Sequence, residues 1–358
     1  MSTRIVVFGA TGYTGRLVTA TLVEQGARPV VAGRHRDALA RLADDHGGLE
    51  VRVADADEPR SVRALIEPGD VLVTTVGPFS LLGNAALDAA IDAGAHYVDS
   101  TGEAGFIRHV MGTAAARAEQ RGSALLCAFG FDFVPGHLAA ALAVEAAGVG
   151  VRELQIVYGG LGTGLSSGTR ASARVLLADQ THKLEHGQVV ERPTGRDVTT
   201  VELDGRRQHL LLAGGTEPLT ATRQWPGTES VSVWLDLGPA AWLVKASWFA
   251  LPALMAIPPV GARARRVGGT TGTGPSAEKR ARSTSTVTAL ARDATGRELA
   301  RGRVTGPNPY DITATTMAAG ALELATRGAS RAGALGPLEL FGHLDLRDAA
   351  ARLGLRPG

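Results

Sequence analysis

The chain has 358 residues, more than a single hydrophobic core usually supports, so the sequence predicts two domains. With 44% hydrophobic and 20% charged residues it reads as folded and globular, while a net charge of +2 and 4% aromatics argue against a nucleic-acid partner. Cys127 is the single cysteine, which excludes an intrachain disulfide and gives no reason to invoke an oxidising compartment.

Arg4–Phe8 is a short β-branched run, too brief for a secretory signal, and the cytoplasm is the expected location. Strand signals follow at Pro29–Ala32, Leu49–Val53, Val71–Val76, Tyr97–Val98 and Ala124–Phe129. Helical patterns separate them at Arg16–Gln25, Asp37–Asp44, Pro59–Ile66, Ala85–Ala93 and Ala104–Gln120. This alternation predicts crossover units and a Rossmann-type, doubly wound parallel sheet. Beyond Pro135 the rhythm changes. Helices are expected at His137–Ala147 and Ser166–Asp179, and strands at Glu153–Tyr158, Gln188–Glu191, Val198–Leu203, Ser230–Leu235 and Thr284–Ala291. A hairpin turn falls at 293–296, and a closing helix at Ile312–Ala325 has Asp311 as its expected cap. The fold class is therefore α/β, with a second mixed α/β domain containing an antiparallel sheet. The expected division is a dinucleotide-binding domain over 1–135, a substrate domain over 136–305, and a segment 306–358 that returns to the first domain.

Gly9-Ala-Thr-Gly-Tyr-Thr-Gly15 sits where the first strand ends and the first helix begins. Gly9 permits the tight turn, Gly12 lets a pyrophosphate reach the backbone, and Gly15 lets helix and strand pack closely. The helix-start N–H groups then face the phosphates, so Thr11, Tyr13 and Thr14 join the cradle. An NAD site would place a carboxylate after the second strand, whereas here Gly33 is followed by Arg34, His35 and Arg36. Arg34 and Arg36 offer planar charged forks to a 2′-phosphate, so the expected cofactor is NADP. Asp55, after the third strand, is expected to border the adenine, and Gly77 and Pro78, after the fourth, the nicotinamide ribose.

These motifs resemble the saccharopine dehydrogenase-like oxidoreductases. The resemblance runs through GATGYTG at 9–15, AGR at 32–34, TVGPF at 75–79, HYVDSTGE at 96–103 and AFGFDFVPG at 128–136. It continues in SSGTRASA at 166–173, GPSAEKR at 274–280 and NPYD at 308–311. Within the family the chain is similar to the bacterial trans-acting enoyl reductases. That branch implies NADPH-dependent reduction of a carbon–carbon double bond in an apolar acyl or polyketide-type substrate, within lipid metabolism. Reduction of an imine, forming or cleaving a C–N bond, and NADP sensing without catalysis remain alternatives. For enoyl reduction a hydride reaches the β-carbon and a proton the α-carbon. Candidate catalytic residues are Tyr97, Asp132 and His137, with Asp99, Ser100, Thr101 and Glu103 at the same strand ends.

Two further patterns carry expectations. His182-Lys-Leu-Glu-His186 has an inverted zinc-protease spacing, but it is read as a solvated helix end and no metal is expected. Residues 239–259 are apolar yet contain Lys245 and Pro252, which argue against a membrane span. With Arg263, Arg265 and Arg266 behind them, they leave open a peripheral membrane contact, an acyl-carrier contact or a homodimer surface.

Overall fold

The computed structural model describes residues 3–160, 180–246, 274–342 and 344–358. The expected helix at 166–179 and most of the apolar segment 239–259 lie outside them. The first sheet is built from strands β1 (Ile5–Phe8), β2 (Val30–Gly33), β3 (Val51–Val53), β4 (Val71–Thr74), β5 (His96–Asp99) and β6 (Ala124–Leu126). Its order is β3-β2-β1-β4-β5-β6, all parallel, with a short strand at Gly333–Ala334 completing seven beside β6. Strands β1, β2 and β4 are buried along their whole length, because helices cover both faces of a parallel sheet. This is the doubly wound sheet expected. It places the ends of β1, β2, β4, β5 and β6 along one edge.

Helix α1 (Tyr13–Glu24) starts directly from the glycine turn, and α2 (Arg36–Asp45) starts three residues after β2. Helix α3 (Pro59–Arg63) is short, and α4 (Phe79–Ala93) ends on Gly94 in the left-handed region at φ 68°. The long helical pattern after β5 is continuous in space but broken in geometry: α5 (Ala104–His109) passes through a π-turn into α6 (Ala115–Arg121).

After α7 (Val134–Ala147) a nine-stranded mixed sheet follows. Its members are β7 (Glu153–Gly159), β8 (Gln180–Glu185), β9 (Gln188–Pro193), β10 (Val198–Leu203), β11 (Arg206–Ala213), β12 (Ser230–Asp236), β13 (Ser285–Arg292), β14 (Glu298–Gly306) and a C-terminal strand at Arg356–Pro357. Only β12 and β7 run parallel; the remaining pairs among the described residues are antiparallel. Helix α7 lies across β13 and β14 at very close range: a Cβ on Gly302 would sit 2.5 Å from the Ala143 nitrogen.

Helix α8 (Glu217–Gln224) and strands β8 and β11 were not anticipated. The His182–His186 stretch is strand β8 and its turn, so the helical spacing does not apply. His182 is buried while His186 stands in the turn at φ 50°. No metal-holding group of three or more ligands exists among the described residues. The closing helix α9 (Pro309–Arg327) is longer than expected and is capped by Asn308, whose side chain accepts from the Tyr310 N–H at 3.0 Å. Asp311 instead pairs with Arg280 at 2.7 Å. Among the described residues, no helix is long and apolar enough to cross a membrane.

Candidate active site

The glycine turn satisfies the steric demands read from the sequence. Gly9 has φ 87°, and a Cβ there would lie 2.8 Å from Thr75 Oγ1. A Cβ on Gly12 would meet the Gly9 carbonyl at 3.2 Å, and one on Gly15 would meet Ala10 Cα at 2.9 Å. Gly12 caps α1 without a side-chain bond, so the first N–H groups of the helix keep their donor capacity for an anion. The glycines thus let the turn pass this close to its own backbone and to Thr75, and the uncapped N–H groups at the start of α1 have the chemistry to hold a pyrophosphate.

Arg34 and Arg36 stand exposed at the end of β2, with no ion pair to a described residue. Asp55 is half-buried after β3, and its Oδ1 accepts from the Asp57 N–H at 3.1 Å. Gly77 and Pro78 follow β4, and Pro78 is the cap residue of α4. The Tyr13 side chain is held by the segment that returns from the second sheet. Its hydroxyl donates to the Pro275 carbonyl at 2.5 Å, and its ring meets Tyr310 edge-on at 4.9 Å.

A buried carboxylate organises the next loop. Glu103 accepts from the Phe79 N–H at 2.8 Å and the Ser80 N–H at 2.9 Å, capping the start of α4 beside Gly77 and Pro78. Asp99, at the end of β5, accepts through Oδ1 from the Thr101 N–H at 2.9 Å and the Ala128 N–H at 2.8 Å. Burial raises its carboxyl to about 6, against the opposing pull of those two N–H groups. Ala128 is held at φ 53°, a costly conformation for a residue with a Cβ. Tyr97 and Cys127 share the enclosed space beside Asp99, and burial first, then that carboxylate, pushes both well up.

Asp132 and His137 lie on either side of the start of α7, and the structure separates their environments. Asp132 is half-buried, its Oδ2 is within 3.4 Å of where a Gly102 Cβ would stand, and burial raises it to about 6. His137 is fully buried with both ring nitrogens engaged. Nδ1 is 2.8 Å from Gln224 Oε1 and Nε2 is 2.9 Å from Thr216 Oγ1. Burial lowers it to about 4, so the neutral ring donates to Gln224 and accepts from the Thr216 hydroxyl.

Tyr158 of β7, Glu217 of α8 and His182 of β8 complete this region; the sequence pattern did not indicate the first two, and flagged His182 only within a metal-type spacing. Tyr158 Oη accepts from the Gly136 N–H at 2.8 Å and lies 3.0 Å from the Phe133 carbonyl and 2.9 Å from Glu217 Oε1. Glu217 is fully buried and is pushed up to about 8, burial outweighing the N–H groups at the start of its own helix. His182 donates from Nε2 to the Gly215 carbonyl at 2.8 Å, and Arg108 approaches its Nδ1 at 3.3 Å. These contacts join residues 59 and 33 positions apart, and no local motif signals them.

A glycine turn opening α1, a parallel sheet whose strand ends share one edge and a second mixed domain define the class: a two-domain protein with a dinucleotide-binding fold. Residues 5–126 match the model of the saccharopine dehydrogenase NADP binding domain, which marks the first domain as one of the NADP-binding type. The chain is 34% identical over 140 residues to the trans-acting enoyl reductase of Mycobacterium tuberculosis strain H37Rv, covering 37% of this chain and 34% of that protein. It is also 34% identical over 187 residues to a putative trans-acting enoyl reductase of the same strain, covering 49% of this chain and 44% of that one. The chain thus spans less than half the length of these relatives. In architecture it is similar to apo saccharopine dehydrogenase (L-Glu forming) from Saccharomyces cerevisiae. That likeness has a TM-score of 0.59 and 12% identity, over 99% of this chain and 100% of the other.

Proposed function

We propose that this chain is an NADPH-dependent reductase that saturates a carbon–carbon double bond of an acyl or polyketide-type substrate. The observation that carries this reading is the 34% identity to trans-acting enoyl reductases, in a chain whose first domain is of the NADP-binding type. NADPH, when bound, supplies a hydride for the β-carbon. The chain's own residues do the remaining work. The backbone of Gly9, Thr11, Gly12, Tyr13, Thr14 and Gly15 binds the pyrophosphate at the start of α1. Arg34 and Arg36 hold the 2′-phosphate, Asp55 borders the adenosine, and Gly77 and Pro78 border the nicotinamide ribose.

Asp132 supplies the proton to the α-carbon in this reading. It stands at the sheet edge, partly accessible, with its carboxyl raised to about 6, so part of the population carries the proton near neutrality. Tyr97 and His137 are assigned supporting roles. Tyr97 is enclosed within the first sheet, and His137 has no ring nitrogen left for a reacting atom. The division at about residues 135 and 305 belongs to the same proposal: cofactor first, substrate second, and a C-terminal return.

The test is to follow NADPH oxidation with an enoyl thioester, and separately with a 2-oxo acid plus an amine. Turnover of the thioester alone supports the reading. Turnover of the second mixture alone replaces it with imine reduction, and tight NADPH binding without either points to cofactor sensing.

A further inference from the structure

The turn that carries Asp132 is gripped from the second sheet by a hydrogen-bond set that fixes where one proton must sit. The Tyr158 oxygen has three neighbours: the Gly136 N–H, the Phe133 carbonyl and Glu217 Oε1, at 2.8, 3.0 and 2.9 Å. A phenol has one hydrogen to give. The Gly136 N–H donates, and the Phe133 carbonyl can only accept. An ionised Glu217 could also only accept, leaving one of two acceptors facing the phenol oxygen without a hydrogen between them. With Glu217 carrying a proton, all three bonds form: Glu217 donates to Tyr158, Tyr158 donates to Phe133, and Gly136 donates to Tyr158.

We infer that Glu217 acts as a neutral acid, a positioning residue that donates to Tyr158 and thereby fixes the Phe133–Gly136 turn that holds Asp132 at the reacting centre. This rests on the reading of Asp132 as proton donor. The surroundings favour the neutral form. Glu217 is fully buried and its Oε2 has no hydrogen-bond partner among the described residues. The groups that face it are Tyr158 from β7, Asp132 from the turn before α7 and the Thr216 and Glu217 N–H groups at the start of α8. Burial, joined by Asp132, opposes a negative charge and outweighs the phenol and the two N–H groups, which favour one. His137 of α7 meets Thr216 and Gln224, and His182 of β8 donates from Nε2 to the Gly215 carbonyl. Arg223, on the same helix as Glu217, pairs with Glu339 instead. Small residues keep the acid in place, since a Cβ on Gly136 or Gly215 would overlap its carboxyl oxygens. Burial raising the acid to about 8 agrees with this count of hydrogens.

The deciding measurement needs no turnover: an infrared pH titration of the full chain with isotopically labelled Glu side chains, for the unaltered protein and for Glu217→Gln. A protonated carboxyl band at about pH 7 that is absent in E217Q, and that titrates away near pH 8 in the unaltered protein, is expected. No Glu217-dependent band in that range overturns the inference. In the NADPH oxidation assay, Glu217→Ala is expected to lose on the order of ten- to a hundredfold in kcat with little change in KM, as a turn is displaced. E217Q, whose amide can donate to Tyr158, is expected to recover to within about threefold. E217Q as impaired as E217A at an unchanged melting temperature would also overturn it. Asp132→Asn separates the two readings: normal turnover there removes the proposed donor, while the infrared band still decides the state of Glu217.

Discussion

The Tyr13 hydroxyl donates to the carbonyl of Pro275 at 2.5 Å, joining the first turn of α1 to a residue 262 positions later. Arg280 donates to the same phenol oxygen at 3.0 Å while its Nε holds Asp311 at 2.7 Å, and a Cβ on Gly274 would lie 2.6 Å from the Tyr13 ring. The side chain of the first residue of α1 therefore serves as the latch between the glycine turn and the chain that returns from the second sheet.

That latch sets up a double-variant experiment. Tyr13→Phe should cost about 1 kcal/mol of stability, the ordinary net value of a hydrogen bond. Gly274→Ala should cost more, because the new methyl must displace the ring at 2.6 Å. Combining Gly274→Ala with Tyr13→Ala should recover part of that loss by vacating the space. Urea denaturation of the unaltered protein, Tyr13→Ala, Gly274→Ala and their combination measures it, and strict additivity of the two changes would refute the contact.

Glu103 carries the second expectation. Its carboxylate satisfies two N–H groups at the start of α4, so Glu103→Ala leaves both without their charged acceptor. The loss should be about 3 kcal/mol, with Glu103→Gln intermediate because one carboxyl oxygen survives as an acceptor. Since α4 begins immediately after Gly77 and Pro78, NADPH affinity by calorimetry should fall in parallel with the melting temperature. A stability loss with unchanged NADPH affinity would separate this cap from the cofactor site.

The sequence was informative where the physical demand was local. A positive φ at Gly9, a close approach at Gly12 and helix packing at Gly15 all concern neighbours within six residues, and a glycine is the visible answer to each. The alternating strands and helices of the parallel sheet were legible for the same reason, because their burial pattern repeats along the chain. Glu103 was visible only as one of several strand-end polar residues, since its partners lie 24 and 23 positions away. Glu217 gave no signal at all: its meaning depends on a tyrosine 59 residues earlier on another strand. The His182–His186 pair misled because helical spacing was read into what is a strand and its turn. Asp311 misled because Asn308 reaches the first helical N–H groups before it does, which releases Asp311 to hold Arg280.

Cofactor preference offers a test of Arg34. A charged hydrogen bond contributes about 1.5–3 kcal/mol, so Arg34→Ala should weaken NADPH binding by about tenfold or more. NADH lacks the 2′-phosphate and should bind the variant as it binds the unaltered protein. Calorimetry with both dinucleotides measures the difference. Equal weakening of the two would show that Arg34 supports the fold of the loop without touching the phosphate.

The acid side of the stability profile should carry the signature of His137. Its folded-state value of about 4 lies below the ordinary 6.5, because burial opposes charging the ring. Between those two values the unfolded chain binds more protons than the folded one, so this contribution is complete above about 6.5 and is lost as the pH falls toward about 4. Asp99, Asp132 and Glu217 act in the opposite sense, since their raised carboxyls bind protons more readily when folded. The total profile mixes both signs, and only a comparison isolates the ring. His137→Gln removes the titration while leaving a polar side chain near Gln224 and Thr216. The stability difference between the unaltered protein and H137Q, from urea denaturation, should shrink steadily as the pH is lowered through this window. A difference that stays constant would mean that the ring takes up its proton equally well in the folded and the unfolded chain, and that its burial does not hold it neutral.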